Sequence, residues 1–163
     1  QYELQPDRDK SAYLEYEKKA NAGRYQDLTP RAMTEASAWI LRHADMKQLI
    51  TRRIENFRYL YERLSQIKEV QILSKDIGRG NEFVPFGIVI LVKERNRLYR
   101  YLVDHGIIPE IQWSLPVKYY QPGEDAMFLS EHNLMLQCDQ RYCLKEMERI
   151  ATVISAFFAE GTK

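Results

Sequence analysis

An amide and an indole stand side by side directly after a short apolar stretch of the sequence. Gln112 and Trp113 follow "IIPEI" and precede a turn bounded by Pro116. The amide can hydrogen-bond and the indole can stack, but neither titrates near neutral pH. Because loops that leave rigid strands often carry binding groups, the two residues are candidates for contact with a small molecule. A tryptophan at a strand end is also often a buried core side chain, and the residues alone leave both interpretations open.

Other residues with chemical potential do not match a catalytic or metal pattern. His132, Cys138 and Cys143 have no zinc-ligand spacing, and both cysteines are expected to be small buried side chains. The glycines of "GRGNE" lack the Lys-Ser/Thr pair of a phosphate loop and are typical of a hairpin between two strands. The sequence therefore predicts no metal ligands, no cofactor-binding residues and no catalytic residues in this chain.

The remaining charged residues have structural interpretations. His43 and His105 are scattered, and His105 falls in the last turn of a predicted helix, where the helix dipole favours a cation. Four arginines share a predicted helix with two glutamates. They are expected to form a solvated face: Arg52, Arg53, Arg58 and Arg63, with Glu55 and Glu62 between them.

The elements that must position Gln112 and Trp113 follow from hydrophobic periodicity. Helices are expected at 7–23, at 31–44 with Thr29 as N-cap and Pro30 in its first turn, and at 46–64. Later helices are expected at 95–105, closed by Gly106, and at 143–160. Short apolar runs predict strands at 69–74, 83–92, 107–113 and 133–138, with "QPGED" as a turn.

This order predicts an α+β domain with a small mixed or antiparallel sheet, helices on one face and N-terminal helices before it. We expect one domain over 1–163, with a helical arm at 1–43 and a core at 44–163. The sequence begins "QYELQPDRDK", without Met, in what resembles the approach to a helix. This beginning suggests a fragment of a larger protein.

The composition of the chain limits the partners and the location that are expected for it. The chain has 163 residues, 45% apolar and 29% charged, and a net charge of +1 from 24 basic and 23 acidic residues. These proportions are typical of a globular domain, and they favour neither nucleic acid nor membrane as a partner. With only two cysteines and no apolar leader, a reducing cytoplasm is the expected location.

Five segments together resemble one enzyme family. "RAMTEASAWIL", "RRIENFRYLYERL", "GIVILVKERNRLYRYLVDHGI", "IPEIQWSLP" and "LMLQCDQRYCLKEMERIATVI" are similar to the small C-terminal domain of PLP-dependent sugar aminotransferases of the DegT/DnrJ type. The resemblance covers about residues 29–158. It implies the aspartate aminotransferase fold superfamily, PLP as cofactor of the full-length enzyme, a homodimer, and a small-molecule substrate of the nucleotide-sugar class.

The same resemblance assigns roles within the chain. The segment after "GI" reaches the active-site mouth in this family, so Gln112 and Trp113 would contact substrate, although a His-Tyr pair is common there. The Schiff-base lysine lies in the large domain, which this chain lacks, so the chain alone is expected to be inactive. Many members place an Asn before the "R-M-S" segment to reach the cofactor phosphate, where this chain has Thr29, Pro30 and Arg31.

Two function classes follow. The first is the C-terminal domain of a PLP-dependent aminotransferase-like enzyme. The second is a stand-alone, non-enzymatic binding or assembly domain with the same fold. In either case the apolar side chains of the arm, such as Leu14, Met33 and Trp39, require cover. We expect self-association or packing of residues 7–41 on the core.

Overall fold

The computed structural model describes residues 11–23, 29, 32–73, 83–112, 114–115 and 121–160. The chain divides into two compact units, 1–46 and 47–163. Helices α1 (Ser11–Gly23) and α2 (Glu35–His43) belong to the first unit. Within the described residues, no helix is both long and apolar enough to cross a membrane.

The second unit is built around a small antiparallel sheet. Helix α3 (Met46–Leu64) is followed by the other elements in the order β1 (Gln71–Ile72), β2 (Gly87–Leu91), α4 (Arg95–Asp104), α5 (Glu124–His132), β3 (Asn133–Gln137) and α6 (Leu144–Glu160). The strands lie in the order β1-β2-β3, and both pairings are antiparallel. The predicted α+β class with a small antiparallel sheet is confirmed.

One face of the sheet forms the hydrophobic core. Alternate residues of β2 and β3 point to this face because side chains alternate along a strand, and Ile88, Ile90, Leu134 and Leu136 are almost fully buried. Apolar residues spaced three and four apart on three helices pack with them. These residues are Phe57, Leu60 and Leu64 of α3, Leu98 and Leu102 of α4, and Met147, Ile150, Ala151, Ile154 and Phe157 of α6.

The end of α4 agrees with the sequence-based prediction, whereas the start of α2 differs from it. Gly106 closes α4 with a φ of 71°, a left-handed conformation that glycine adopts without strain. The N-cap of α2 is Thr34, not the predicted Thr29. The Thr34 hydroxyl oxygen accepts a hydrogen bond from the Ser37 backbone N–H at 3.2 Å, and the acidic Glu35 then opens the helix.

Two predicted elements are wrong. The residues after "QPG" form helix α5, where the sequence analysis predicted only a turn at "QPGED". The predicted strand at 107–113 pairs with β3 only at an isolated bridge between Glu110 and Met135. A regular ladder does not continue because the Asn133 side chain, not its backbone, pairs with the next facing residue, Gln112.

Apolar side chains of the arm are exposed to solvent. Met33 and Trp39 are 60% and 59% exposed, and Leu14 is half-buried. The expected packing of residues 7–41 stays a prediction. The loop of the predicted β1–β2 hairpin, including "GRGNE", lies outside the described residues.

Because β3 lies close to Gly87 of β2, any side chain at position 87 should destabilise the fold. A Cβ there would lie 2.8 Å from Met135 Cγ and 2.9 Å from the Leu136 carbonyl oxygen. Since the backbone oxygen cannot rotate away, Gly87→Ala should lower the free energy of unfolding by about 1–3 kcal/mol in urea melts.

The matched control is Gly123→Ala, where an added Cβ meets no atom within 4 Å. Gly123 is the N-cap of α5, so its loss should cost only about 0.5–1 kcal/mol through weaker capping. Equal stability of the Gly87→Ala variant and the native chain would contradict the close approach.

Candidate functional site

Gln112 lies at an open edge of the sheet, beside β3. The preceding Glu110 exchanges two backbone hydrogen bonds with Met135, of 2.9 and 2.7 Å. The Gln112 backbone N–H then donates to Asn133 Oδ1 at 2.8 Å, and Asn133 Nδ2 donates to the Gln112 carbonyl at 2.9 Å. This pairing fixes the backbone at Gln112 and aligns its side chain with those of Glu110 and β3.

A chain of side-chain hydrogen bonds runs along this edge. Gln112 Nε2 donates to Glu110 Oε2 at 2.8 Å, and Gln137 Nε2 donates to Glu110 Oε1 at 3.2 Å. Arg141 Nη2 donates both to Gln137 Oε1 at 3.3 Å and to Asp139 Oδ2 at 2.8 Å. We call these five residues (Gln112, Glu110, Gln137, Arg141 and Asp139) the polar edge.

The hydrogen bonds assign the orientation of the Gln112 amide. A carboxylate accepts and does not donate, so the nitrogen, not the oxygen, must face Glu110. Gln112 Oε1 accepts no hydrogen bond from the described part of the chain, and the residue is half-buried. The amide oxygen is therefore available to a ligand that offers an N–H or O–H donor.

The charged end of the polar edge is a compact ion pair. Arg141 Nε lies 3.0 and 3.2 Å from the two Asp139 oxygens, and the Arg141 backbone N–H donates to Oδ1 at 2.9 Å. Burial of Asp139 favours a higher pKa, but the hydrogen bonds and charge of Arg141, together with the charge of Arg53, hold the pKa of the carboxyl below its usual range. Asp139 is therefore ionised at neutral pH.

Two residues of α3 hold this end of the polar edge against the core. Asn56 is fully buried, and its Nδ2 donates to the backbone oxygens of Asp139 at 3.0 Å and Tyr142 at 3.1 Å. Arg53 Nε donates to Gln140 Oε1 at 2.6 Å. The predicted solvated face of α3 is thus wrong for Arg53, which is half-buried and reaches the turn after β3.

The residues around Trp113 are anchored on both sides. Asn133 binds Gln112 before it, and the Leu115 backbone N–H donates to Ser130 Oγ at 3.1 Å after it. Trp113 itself lies outside the described residues, as do Pro30 and Arg31. Thr29 is described and exposed. The role predicted for Trp113 stays a prediction.

The three histidines share one local geometry that explains them without catalysis. The ring Nδ1 of His43, His105 and His132 lies 2.7–2.8 Å from the carbonyl oxygen four residues earlier. A carbonyl only accepts, so Nδ1 carries the proton. Each ring also lies 4.2–4.3 Å from the aromatic ring at that same earlier position. The structural interpretation of His105 at the end of α4 therefore extends to all three residues.

The two cysteines lie in different environments. Cys138 is fully buried, and burial with the nearby Asp139 charge raises the pKa of its thiol to about 12. Cys143 is exposed, so the expectation that both cysteines are buried is wrong for it. Among the described residues, no group of three or more His, Cys, Asp or Glu side chains could hold a metal ion.

The arrangement is suited to binding and not to proton transfer. Its amides and the ionised Asp139–Arg141 pair can recognise a polar ligand through directional hydrogen bonds. Sequence reasoning found Gln112 but missed the other residues of this hydrogen-bond chain, which are Glu110, Gln137 and Arg141. The alternation of polar and apolar residues in "PEIQ" and "NLMLQ" is the signal that places them on one face.

Solved structures resemble this chain over most of its length. The aminotransferase TlmJ from Streptoalloteichus hindustanus matches 83% of this chain and 39% of its own, with a TM-score of 0.67 and 17% identity. A DegT DnrJ EryC1 StrS aminotransferase from Brucella abortus matches 75% of this chain and 33% of its own, with a TM-score of 0.55 and 21% identity. The chain has the fold of part of a DegT/DnrJ-type aminotransferase.

A third match extends the range of activities on this fold. The E. coli GDP-4-keto-6-deoxy-D-mannose-3-dehydratase, solved with bound hydrated PLP, has a TM-score of 0.54 and 17% identity over 72% of this chain and 33% of its own. This chain thus spans about a third to two fifths of the enzymes that it matches. No protein-family model matches the sequence, and no curated protein does.

The lysines of this part do not fit a Schiff base with PLP. Such a lysine must lie in a dry pocket so that its amine is neutral and nucleophilic. Every lysine that the structure describes is exposed: Lys18, Lys19, Lys47, Lys68, Lys93 and Lys145. We therefore derive no chemical step on PLP from these residues.

The Asp139–Arg141 pair predicts a specific pH dependence of stability. The folded-state pKa of Asp139 lies below its ordinary value of 3.8, so the ionised carboxylate stabilises the fold above that pH. This contribution is lost as the pH falls through the folded-state pKa. Asp139→Asn should lower the free energy of unfolding at pH 7 by about 1–3 kcal/mol.

The same variant should show a shallower loss of stability than the native chain below pH 3.8. Urea melts from pH 7 to pH 2 measure both effects. Arg141→Gln removes the partner charge, so the free energy of unfolding should again decrease less steeply at low pH than in the native chain. If the free energy of unfolding decreases at low pH as steeply in both variants as in the native chain, the Asp139–Arg141 pair does not control this decrease.

Proposed function

We propose that this chain is the C-terminal domain of a PLP-dependent aminotransferase-like enzyme and that its polar edge contributes to the substrate wall. The observation that carries the proposal is the fold shared with TlmJ over 83% of this chain but only 39% of TlmJ. The missing part of such an enzyme is its large domain, which supplies the Schiff-base lysine in this family. The full-length enzyme would work as a homodimer in the cytoplasm.

The polar edge supports a binding role for this domain. Gln112 has an amide oxygen that accepts no hydrogen bond from the described residues, and the ionised Asp139–Arg141 pair lies at the other end of the polar edge. A sugar offers several hydroxyl donors, which suit such an acceptor. A nucleotide sugar is the substrate class that we assign to the full-length enzyme, because the resemblance and several matched enzymes point to sugars.

The proposal assigns PLP chemistry to the rest of the enzyme. No described lysine has a dry environment. This domain would bind and orient the substrate, while the isolated chain would be inactive.

The cofactor assignment predicts that the isolated chain forms no specific adduct with PLP. Incubation with PLP followed by borohydride should leave only sparse, unsaturable labelling, because every described lysine is exposed and none has a dry pocket that would favour it over the others. Intact mass and peptide mapping measure the labelling. One saturable adduct on a single lysine would overturn the assignment.

The substrate-wall role predicts that the Trp113 ring contributes little to stability. Trp113→Ala should lower the free energy of unfolding by less than about 1 kcal/mol, as at other surface positions. A buried ring would cost about 3–5 kcal/mol. The matched control is Trp39→Ala, since Trp39 is 59% exposed in the same chain. A loss of several kcal/mol for Trp113→Ala alone would make Trp113 a core residue and remove it from the site.

The full-length enzyme tests the binding role itself. Gln112→Met keeps the side-chain length, removes the amide group and should raise KM with a smaller effect on kcat. A full-length protein that neither binds PLP nor transfers amino groups would favour the alternative, a stand-alone binding or assembly domain with the same fold.

A further inference from the structure

A cavity of about 610 Å³ lies at the other end of the β2–β3 pair from the Asp139–Arg141 ion pair. Leu91 and Val92 form its floor where β2 ends, and Gln71 of β1 lies at its side. It shares no residue with the polar edge. Its volume falls within the range of small-molecule sites.

The wall of the cavity carries more cations than carboxylates. Lys68, Lys93 and Arg97 face two acids, Glu69 and Glu94. Arg97 is already bound to Glu94, with Nη1 2.7 Å from Oε2. In the described part of the chain, Lys68 and Lys93 form no ion pair, so at least one positive charge in the wall is uncompensated.

The start of α4 adds to the positive potential beside the cavity. Glu94 precedes the helix but makes no side-chain cap, because its carboxylate binds Arg97. The helix therefore begins with its positive dipole end uncapped by a side chain.

The opposite wall is aromatic. Phe128 of α5 is 47% exposed and stacks on His132, with ring centroids 4.3 Å apart. Phe158 of α6 is half-buried and meets Phe157 edge-on, with centroids 5.0 Å apart and planes at 83°. Phe128 and Phe158 both line the cavity, and a flat aromatic ring can stack on an exposed ring such as that of Phe128.

We infer that this cavity binds a small aromatic carboxylate, with its ring against Phe128 and Phe158 and its carboxylate between Lys68 and Lys93. A single negative charge matches the small excess of positive charge, and a flat ring matches the aromatic wall. The inference does not depend on the proposed function, because the cavity and the polar edge share no residue.

The test uses the ¹⁵N-labelled 163-residue chain and 1-naphthoate as the probe. Naphthoate should shift the backbone amides around Lys93, Phe128 and His132 to saturation, with a Kd on the order of 1 mM for a ligand of this size. Acetate lacks the ring and 1-naphthalenemethanol lacks the charge, so both should bind at least about fivefold more weakly.

Variants separate the two contributions. The double change Lys68→Gln and Lys93→Gln should weaken naphthoate binding by about fivefold or more and leave naphthalenemethanol unchanged. Phe128→Leu keeps an apolar side chain, removes the ring and should weaken both ligands. Lys47→Gln with Lys145→Gln is the matched control, because both lysines are exposed and lie outside the cavity lining.

The outcomes are decisive for the cavity alone. Saturable naphthoate binding that the cavity variants weaken and the control leaves intact supports the inference. It is overturned if naphthoate does not saturate, if the neutral alcohol or acetate binds equally well, or if the control pair weakens binding as much as the cavity pair. None of these results depends on PLP, on transamination or on Gln112.

Discussion

The side chain of Asn133 is the interaction on which the arrangement of the polar edge depends. It is 6% exposed and joins three parts of the chain at the first residue of β3. Its Oδ1 and Nδ2 bind both backbone groups of Gln112, and Nδ2 also binds the last carbonyls of α5, at Leu129 and Ser130. An aspartate could accept from Gln112 but could not donate to these carbonyls, so only an amide satisfies this junction.

The two faces of the sheet carry different kinds of side chain. Leu134 and Leu136 point into the core, while Met135 and Gln137 point the other way. Met135 occupies the space that a side chain at Gly87 would need and lies 3.6 Å from Gln112 Nε2 through its sulfur. A fully packed face thus fixes the strand, and the strand holds a hydrogen-bonded row of polar groups at its other face.

Much of this fold follows from sequence, and the failures have physical causes. Helices α3, α4 and α6 were predictable because each buries a periodic apolar stripe. Helix α5 was not, since it buries no residue and begins after a proline and a glycine that are typical of a turn. Gln112 was found from its residue type and from its position after an apolar run. Its connection through Glu110 to Gln137 and Arg141 can be derived only when the strand pairing is known. Periodicity does not give that pairing when one side is a single bridge.

The polar edge is a set of hydrogen-bonding groups whose positions are fixed by one another. It contains the amides of Gln112 and Gln137, the Glu110 carboxylate between them, and the ionised Asp139 carboxylate held by the Arg141 guanidinium. The three described histidines do not belong to it, because each binds a helix carbonyl through Nδ1. A fixed pattern of donors and acceptors of this kind can discriminate between ligands by shape and by the positions of their hydrogen-bond donors.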